Sequence, residues 1–272
     1  MTGRTWLVAL LASVATLGSL APAQAVRCGG DFNSFVQSFS AEAIAAGVSQ
    51  GVVISALGGV MQDGSVLAFD RRQRYTFNKT FEQYVSTRVG SVRINGGRAM
   101  LQRHAVLFSQ IEARFGVPRQ ILVAIWGLES DFGRGDMGKL PVIRTLTTLA
   151  HDCRRSDLFQ GELLAALKIL QRGDLPLRDL IGAYAGEIGQ TQFLPSSYIK
   201  YGVDFDGDGR VDLRHSVADV LASTANLLHT NGFKMGQPYG EGSANFEAMR
   251  EWNHAVIYRK TIAYFADQLV GR

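Results

Sequence analysis

Residues 121–135 read ILVAIWGLESDFGRG: eight uncharged residues lead directly to Glu129, and two glycines follow. Because the run is apolar on every side, it predicts a helix over Gln120–Glu129 that is buried in the protein core. Pro118 is well placed to open this helix. The sequence therefore centres the fold on a buried helix that carries a carboxyl group near its end.

Most of the remaining chain also shows helical spacing of apolar residues, and two-residue alternation is scarce. Helices are predicted over Phe32–Ala46, Gly51–Leu57, Phe81–Val89, Gly97–Phe115, Pro141–Ala150, Ser156–Gln171, Ser216–Asn231 and Phe246–Leu269. Val66–Phe69 is predicted to be a short extended piece, and the Gly-rich stretch Lys234–Asn245 a loop. The predicted fold class is mainly α, with residues 26–272 in a single compact domain.

The composition is that of a globular protein. Of 272 residues, 46% are hydrophobic and 19% charged, which excludes a disordered chain. Lysine and arginine number 28 against 24 acidic residues, and a net charge of +4 is too small to indicate a nucleic-acid partner. Two cysteines exclude a disulfide-dense scaffold and a zinc site with four cysteine ligands.

The N-terminus has the pattern of a cleavable signal peptide over residues 1–25. Arg4 precedes the apolar run Trp6–Leu20, and Ala23-Gln24-Ala25 fits the cleavage site. A membrane anchor is the alternative, but the run is short for a bilayer. No later segment reaches about 18 apolar residues, so we expect no membrane span after cleavage and a periplasmic location.

Export also bears on the two cysteines, Cys28 and Cys153. In an oxidising compartment they are predicted to form a disulfide that ties the N-terminus to the middle of the chain. Two free thiols are the alternative.

Glu129 has the setting that general acid catalysis needs. Burial at the end of an apolar helix disfavours the carboxylate and raises its pKa toward neutrality. The alternative is a structural ion pair with Arg134, and the spacing alone favours that alternative.

A second segment, Ala183–Tyr198, reads AYAGEIGQTQFLPSSY and has the composition of a sugar-binding surface. Its glycines allow the backbone to come close to a ligand, and its amides and aromatic rings suit hydroxyl groups and C–H faces. The alternative is a Gly-rich turn followed by a helix that begins at Pro195.

Together these blocks resemble the lytic murein transglycosylases of the membrane-bound B type, from about Phe69 to the C-terminus. The resemblance rests on six ordered blocks: residues 129–133 (ESDFG), 137–139 (MGK), 153–156 (CRRS), 185–198 (AGEIGQTQFLPSSY), 203–209 (VDFDGDG) and 252–254 (WNH). It implies a lysozyme-like α-helical fold. It also implies cleavage of the β-1,4 bond between N-acetylmuramic acid and N-acetylglucosamine with formation of a 1,6-anhydromuramoyl end.

The resemblance also implies roles for individual residues. Glu129 matches the family's single catalytic acid/base, Gln192 its glycan-contacting glutamine, and Arg154 and Arg155 a basic pair near the stem peptide. The predicted substrate-binding residues are Tyr84, Arg154, Arg155, Tyr184, Glu187, Gln192, Asn253 and Tyr258. The implied partners are peptidoglycan glycan strands and stem peptides, bound by a monomer that requires no cofactor for its chemistry.

A single acid sets the expected mechanism. Glu129 would protonate the leaving oxygen, and the substrate's N-acetyl oxygen would stabilise C1. Glu129 would then act as a base and activate the muramic acid 6-hydroxyl, whose intramolecular attack outcompetes water. Asp131 is a poor second catalyst, because two residues along a helix it points away from Glu129.

Two positions depart from the family pattern. Ala183 stands where a serine often contacts the catalytic glutamate, and Glu187 stands where alanine is usual. Glu187 either adds a second carboxyl to the site, raising the pKa of Glu129 and admitting hydrolysis, or faces solvent. A hydrolytic muramidase and a non-catalytic peptidoglycan-binding protein therefore remain as alternatives.

An EF-hand-like loop spans residues 204–219. Asp204, Asp206, Asp208 and Asp212 fall at positions 1, 3, 5 and 9, and the Arg210 carbonyl at position 7. His215 occupies position 12, where a glutamate is expected, and Asp219 is the candidate replacement. A structural Ca²⁺ ion and a metal-free Asp-Gly turn both remain open.

Overall fold

The computed structural model describes residues 26–72 and 80–271. Within these ranges the chain folds into thirteen α-helices and one two-stranded sheet, so the mainly α prediction is confirmed. The α-helices are α1 (Phe32–Ala45), α2 (Gln50–Leu57), α3 (Gly64–Arg72), α4 (Phe81–Arg88), α5 (Ser91–Arg103), α6 (Ala105–Phe115), α7 (Arg119–Ser130), α8 (Val142–His151), α9 (Ser156–Arg172), α10 (Pro195–Tyr201), α11 (Val217–Thr230), α12 (Ala244–Ala248) and α13 (Val256–Val270). The strands are β1 (Leu140–Pro141) and β2 (Ile181–Gly182).

Helix α7 lies in the middle of the fold, as its apolar sequence predicts. Every residue from Ile121 to Leu128 is buried, and the helix packs against α5, α6, α11 and α13. Helices α5 and α13 come close because Gly97 has no side chain: a Cβ there would lie 2.5 Å from Leu269. Pro118 caps the start of α7, and Asp131, in the left-handed region with φ 48°, ends it.

A second group of helices surrounds the pair α8 and α9. Both α1 and α2 pack against α8, and α2 also contacts α9. Helix α10 lies against α9, where the Glu162 carboxylate accepts hydrogen bonds from the backbone N–H and hydroxyl of Ser196 at 2.8 and 2.7 Å. A buried carboxylate thereby satisfies the first turn of α10.

The short sheet brings the sugar-binding candidate segment next to α7. Strands β1 and β2 are antiparallel, with Leu140 opposite Gly182, so the loop after α7 is joined to the start of residues 183–193. Isolated bridges from Ile188 to Gly182 and Phe193 then fold this segment back on itself.

Three predicted elements were wrong. Val66–Phe69 is helical within α3, because Asp63 accepts the backbone N–H of Ser65 and Val66 and starts a helix there. The predicted helix Gly97–Phe115 is interrupted at His104, which has ψ 24° and packs its ring against Trp126.

The predicted helix Phe246–Leu269 is interrupted between Trp252 and Ala255. The break follows from side-chain hydrogen bonds: Asn253 accepts from the N–H of Ala255, and Trp252 turns toward Glu129. The predicted loop from Lys234 is confirmed as far as Ser243, after which α12 begins.

The predicted signal peptide, residues 1–25, lies outside the described residues. Among the described helices, none is long and apolar enough to cross a membrane.

Candidate active site

The carboxyl group of Glu129 lies half-buried in the last turn of α7 and is held by two donors from the C-terminal part of the chain. Tyr258 donates its hydroxyl to Glu129 Oε1 at 2.6 Å, and Trp252 donates its indole N–H to the same oxygen at 3.2 Å. Tyr258 belongs to α13, which packs along α7, and is itself buried. Helix α13 and the turn before it therefore orient this carboxyl.

Burial raises the pKa of Glu129 from 4.5 to about 7. The hydrogen bonds from Tyr258 and Trp252 act in the opposite direction because they stabilise the carboxylate, and the charge of Glu187 adds to the upward shift. The upward shift from desolvation is larger than the downward shift from the two hydrogen bonds. The resulting pKa is suited to a group that first donates and then accepts a proton near neutral pH.

Arg134 does not pair with Glu129, so the structural ion-pair interpretation is wrong. Its guanidinium lies 3.8 Å from Asp131 and over the ring of Phe132. Asp131 also pairs with Arg93 at 3.3 Å. Asp131 is therefore neutralised by two arginines and is not held with Glu129 as a second acid.

Gln190 attaches the segment 183–193 to α7. Its side-chain oxygen accepts from the indole of Trp126 at 2.8 Å, and its side-chain nitrogen donates to the Arg214 carbonyl at 2.9 Å. Its backbone carbonyl accepts from the hydroxyl of Ser130, the residue that follows Glu129. These hydrogen bonds hold the segment 183–193 against α7.

A cleft of about 500 Å³ opens between the segment 183–193, α7 and the turn before α13. Its lining contains four of the predicted site residues: Glu129, Glu187, Gln192 and Asn253. The other lining residues are Phe193, Leu194, Ser197, Leu227, Glu251, Trp252 and His254. The cleft carries both amide and aromatic groups, which is the combination that the sequence of residues 183–198 suggests.

Gln192 is held in a constrained conformation at the cleft wall. Its φ of 55° lies in the left-handed region, and its side-chain nitrogen donates to the Gly189 carbonyl at 2.8 Å. Such a conformation costs a non-glycine residue about 1 kcal/mol or more and is typical of functional sites.

Tyr84 and Tyr258 are both buried and near enough to Glu129 for its charge to act on them. Burial raises the pKa of both hydroxyls, and the charge of Glu129 raises them further. The guanidinium of Arg88 lies 5.2 Å from the ring centre of Tyr84, and its charge favours the carboxylate form of Glu129.

Glu187 faces the cleft, so the alternative that it faces solvent is wrong. Its Oε2 accepts the backbone N–H of Ala185 at 2.9 Å, and burial raises its pKa. The neighbouring Tyr184 packs its ring against Phe69 with 4.6 Å between centres.

Arg154 and Arg155 converge on one buried carboxylate. Each guanidinium donates to an oxygen of Asp70, which belongs to α3. The side chains of the two arginines remain 33% and 47% exposed, so both offer further donors at the surface. Asp70 is not among the site residues predicted from the sequence.

Cys28 and Cys153 form the predicted disulfide, with their Cα atoms 5.2 Å apart. The bridge joins the residues before α1 to the loop that carries Arg154 and Arg155, and the alternative of two free thiols is wrong. Because the two cysteines are 125 positions apart in the sequence, the disulfide removes much conformational freedom from the unfolded chain.

Three of the predicted metal ligands come together. Oxygen atoms of Asp204, Asp206 and Asp219 all lie within 4.8 Å of one another. Asp219, fully buried on α11, accepts the N–H groups of Phe205 and Asp212 at 2.8 Å each.

The remaining acidic residues of the loop have other partners. Asp208 pairs with the Arg210 side chain at 3.0 Å and lies outside the group of three. His215, at position 12, bonds to Asp212 at 2.9 Å. Asp219, and not His215, lies beside Asp204 and Asp206.

Trp252 is the main site residue that sequence reasoning did not identify. It belongs to the block Trp252-Asn253-His254, but its role depends on α13 folding back over α7, which no local pattern predicts. Its ring also packs against Phe193 at 5.4 Å and joins two walls of the cleft.

Comparison with protein families gives a match to the Transglycosylase SLT domain over residues 31–242. The chain is also 42% identical over 124 residues to "Membrane-bound lytic murein transglycosylase B" of Escherichia coli (strain K12), an alignment that covers 45% of the chain. That alignment spans about a third, 34%, of the length of the Escherichia coli protein.

Solved structures show the same fold. SltB3 from Pseudomonas aeruginosa in complex with NAG-anhNAM-pentapeptide has a TM-score of 0.84 at 32% identity, covering 89% of this chain and 80% of that one. The same protein in complex with NAG-NAM-pentapeptide covers 90% and 81%. At 24% identity, the Escherichia coli lytic transglycosylase Slt35 in complex with calcium has a TM-score of 0.77 and covers 90% and 96%, a likeness of fold.

Proposed function

The chain belongs to the Transglycosylase SLT domain family, and from that membership we propose that it is a peptidoglycan lytic transglycosylase. It cleaves the β-1,4 bond between N-acetylmuramic acid and N-acetylglucosamine and leaves a 1,6-anhydromuramoyl end. Residues 26–272 act as one lysozyme-like catalytic domain.

The environment of Glu129 carries this proposal. A half-buried carboxyl with a pKa of about 7 sits at the wall of a cleft of about 500 Å³ and is oriented by Tyr258 and Trp252. Ala183 stands where the family often has a serine that contacts the glutamate, and Tyr258 and Trp252 supply hydrogen bonds to Glu129 in its place. This weakens the case for a non-catalytic binding protein. A purely binding cleft gains nothing from a carboxyl that is costly to ionise.

The chemistry follows from one group acting twice. Protonated Glu129 donates to the glycosidic oxygen as the C1–O4 bond breaks, while the substrate's N-acetyl oxygen stabilises C1. The Glu129 carboxylate then takes the proton of the muramic acid 6-hydroxyl as O6 bonds to C1. The nucleophile is intramolecular, and effective molarities of about 10⁵ M or more explain why O6 outcompetes water. No cofactor takes part.

We assign substrate binding to the walls of the cleft and its surroundings. Gln192 and Asn253 offer amides to sugar hydroxyls, and aromatic residues offer ring faces and hydroxyls. The other predicted substrate-binding residues near the cleft are Tyr84, Tyr184, Glu187 and Tyr258. Arg154 and Arg155 pair with Asp70 and Asp152, but their side chains stay 33% and 47% exposed and offer surface donors to a stem-peptide carboxylate.

The group Asp204, Asp206 and Asp219 is proposed to hold a structural Ca²⁺ ion. Clustered carboxylate oxygens are the donors that Ca²⁺ takes, and burial together with the charge of Asp206 raises the pKa of Asp219, a repulsion that a cation relieves. Asp208 and the Arg210 carbonyl are less well supported as ligands, because Asp208 is paired with a side chain.

The calcium proposal predicts a shift of thermal stability. At 100-fold excess over the dissociation constant, Ca²⁺ stabilises the fold by about 2.7 kcal/mol relative to EDTA. The melting temperature of the wild-type protein should rise with added Ca²⁺, and that of Asp219→Asn should not. An identical melting temperature in EDTA and Ca²⁺ contradicts the ion.

Export to the periplasm as a monomer is part of the same proposal. The signal pattern of residues 1–25 supports it, and the disulfide between Cys28 and Cys153 suits an oxidising compartment.

Product analysis tests the function. Purified sacculi are digested with the protein, and the soluble muropeptides are analysed by mass spectrometry. Anhydro ends support a transglycosylase, whereas reducing ends alone indicate a muramidase and no soluble product a binding protein.

A further inference from the structure

Glu187 is a second carboxyl in the cleft, and the single-acid mechanism has no use for it. It lines the same cleft as Glu129 and lies close enough for its charge to raise the pKa of that residue. The two carboxyls form no hydrogen bond with each other; Glu129 is bonded through Tyr258 and Trp252, and Glu187 through Ala185. They are therefore two separately held carboxyl groups in one cleft.

The surroundings of Glu187 keep it available as a base. Within the described part of the chain it forms no salt bridge, and Arg155, the guanidinium whose charge acts on it, donates instead to Asp70. The Ala185 N–H fixes one carboxylate oxygen at 2.9 Å. Glu187 thus combines a defined orientation and partial burial with a carboxyl group that the described residues do not hold in a salt bridge, which suits a general base.

On the basis of the proposed function, we propose that Glu187 activates a water molecule, so that the enzyme also hydrolyses a minority of the glycosidic bonds it cleaves. Glycosidases that use water place two carboxyl groups around the scissile bond, one as acid and one as base. Glu129 and Glu187 supply that pair here.

The hydrolytic step shares its first half with the transglycosylase reaction. Glu129 gives its proton to O4 as the C1–O4 bond breaks. A water oxygen then bonds to C1, and the proton it loses goes to the Glu187 carboxylate, which leaves a reducing muramic acid end. The two carboxyls exchange this proton through solvent, so the enzyme returns to its starting state.

Competition with O6 sets the expected product ratio. The intramolecular hydroxyl has the advantage of proximity, so anhydro ends remain the main product. A positioned base accelerates attack by water by about 10²–10⁴-fold, which lifts hydrolysis above the background level.

Borohydride reduction distinguishes the two products, because reducing ends gain two hydrogens and anhydro ends do not. Wild-type protein should release a measurable fraction of reducible ends from purified sacculi. Glu187→Gln, whose amide oxygen can still accept the Ala185 N–H, should lower the ratio of reducible to anhydro ends by about 100-fold or to background.

Matched controls make the result specific. Glu241→Gln removes the same charge at an exposed position outside the cleft and should leave the ratio of the two ends unchanged. Glu129→Gln measures contaminating muramidase. Glu187→Ala with added sodium formate, a small external carboxylate, should recover reducible ends.

Two results overturn the inference: wild-type protein that releases anhydro ends only, or Glu187→Gln that keeps the wild-type ratio. Neither result affects the proposed function, which fails separately if no anhydro ends form. If Glu187→Gln does not fold, as judged by circular dichroism, Glu187→Ala with and without formate decides the question.

Discussion

Replacing Glu129 by glutamine should stabilise the fold, and the gain should grow with pH. The pKa of Glu129 is about 7 in the folded protein against an ordinary value of 4.5. Between these two values the folded state binds a proton that the unfolded state has lost, so the stability of the wild-type protein falls as pH rises. Glutamine has the same shape, accepts the same hydrogen bonds from Tyr258 and Trp252, and carries no such penalty.

The size of the effect follows from the gap between 4.5 and about 7. At about 1.4 kcal/mol for each pKa unit, the full penalty of the ionised group is about 3 kcal/mol. Most of it accumulates between pH 5 and pH 8, where the advantage of Glu129→Gln should widen by about 2.5 kcal/mol. Above the folded pKa the advantage levels off.

Urea denaturation of both proteins at pH 5, 6, 7 and 8 measures this difference. Glu241→Gln is the matched control, because Glu241 is exposed and pairs with Lys260 at 2.9 Å in a surface ion pair worth about 0–1 kcal/mol. A free-energy difference between Glu129→Gln and wild type that does not change with pH would refute the argument. So would a variant that is less stable than wild type at pH 8.

Two further predictions concern the partners of the site. Tyr258→Phe removes the 2.6 Å hydrogen bond that favours the Glu129 carboxylate. The pKa of Glu129 should therefore rise by about one unit, and the alkaline limb of the pH–rate profile should move up with it; an unmoved limb contradicts the role given to this hydroxyl. Replacing Cys28 and Cys153 together by serine should lower the free energy of unfolding by about 2–5 kcal/mol in urea titrations. A loss below about 1 kcal/mol would mean that the bridge does not restrain the unfolded chain as expected.

Local sequence was sufficient to predict the central parts of the fold. The uncharged run before Glu129 predicted a buried helix, because only the interior accommodates a helix that is apolar on all sides. The same pattern predicted a carboxyl with a raised pKa. Cys28 and Cys153 were paired from the redox argument alone, and the structure joins them.

What local sequence did not predict depends on contacts between distant segments. Spacing alone favoured an ion pair between Glu129 and Arg134, whereas Arg134 lies against Asp131 and Phe132. The spacing of apolar residues does not predict the helix breaks at His104 and before Ala255, because a short interruption leaves that spacing nearly unchanged on either side.

The roles of Trp252 and Asp70 illustrate the same limit. Trp252 reaches Glu129 across 123 positions of sequence, and Asp70 is separated from Arg154 by 84. Each contact exists only once the helices have packed, and no spacing rule connects residues so far apart.

The central claim is that Glu129 is the single acid and base of glycan cleavage, and the most direct test is the release of anhydro muropeptides by Glu129→Gln. We predict a loss of at least about 10³-fold relative to wild type, with sacculus binding retained in a sedimentation assay. Release of anhydro ends at a rate near that of the wild-type protein would contradict the account.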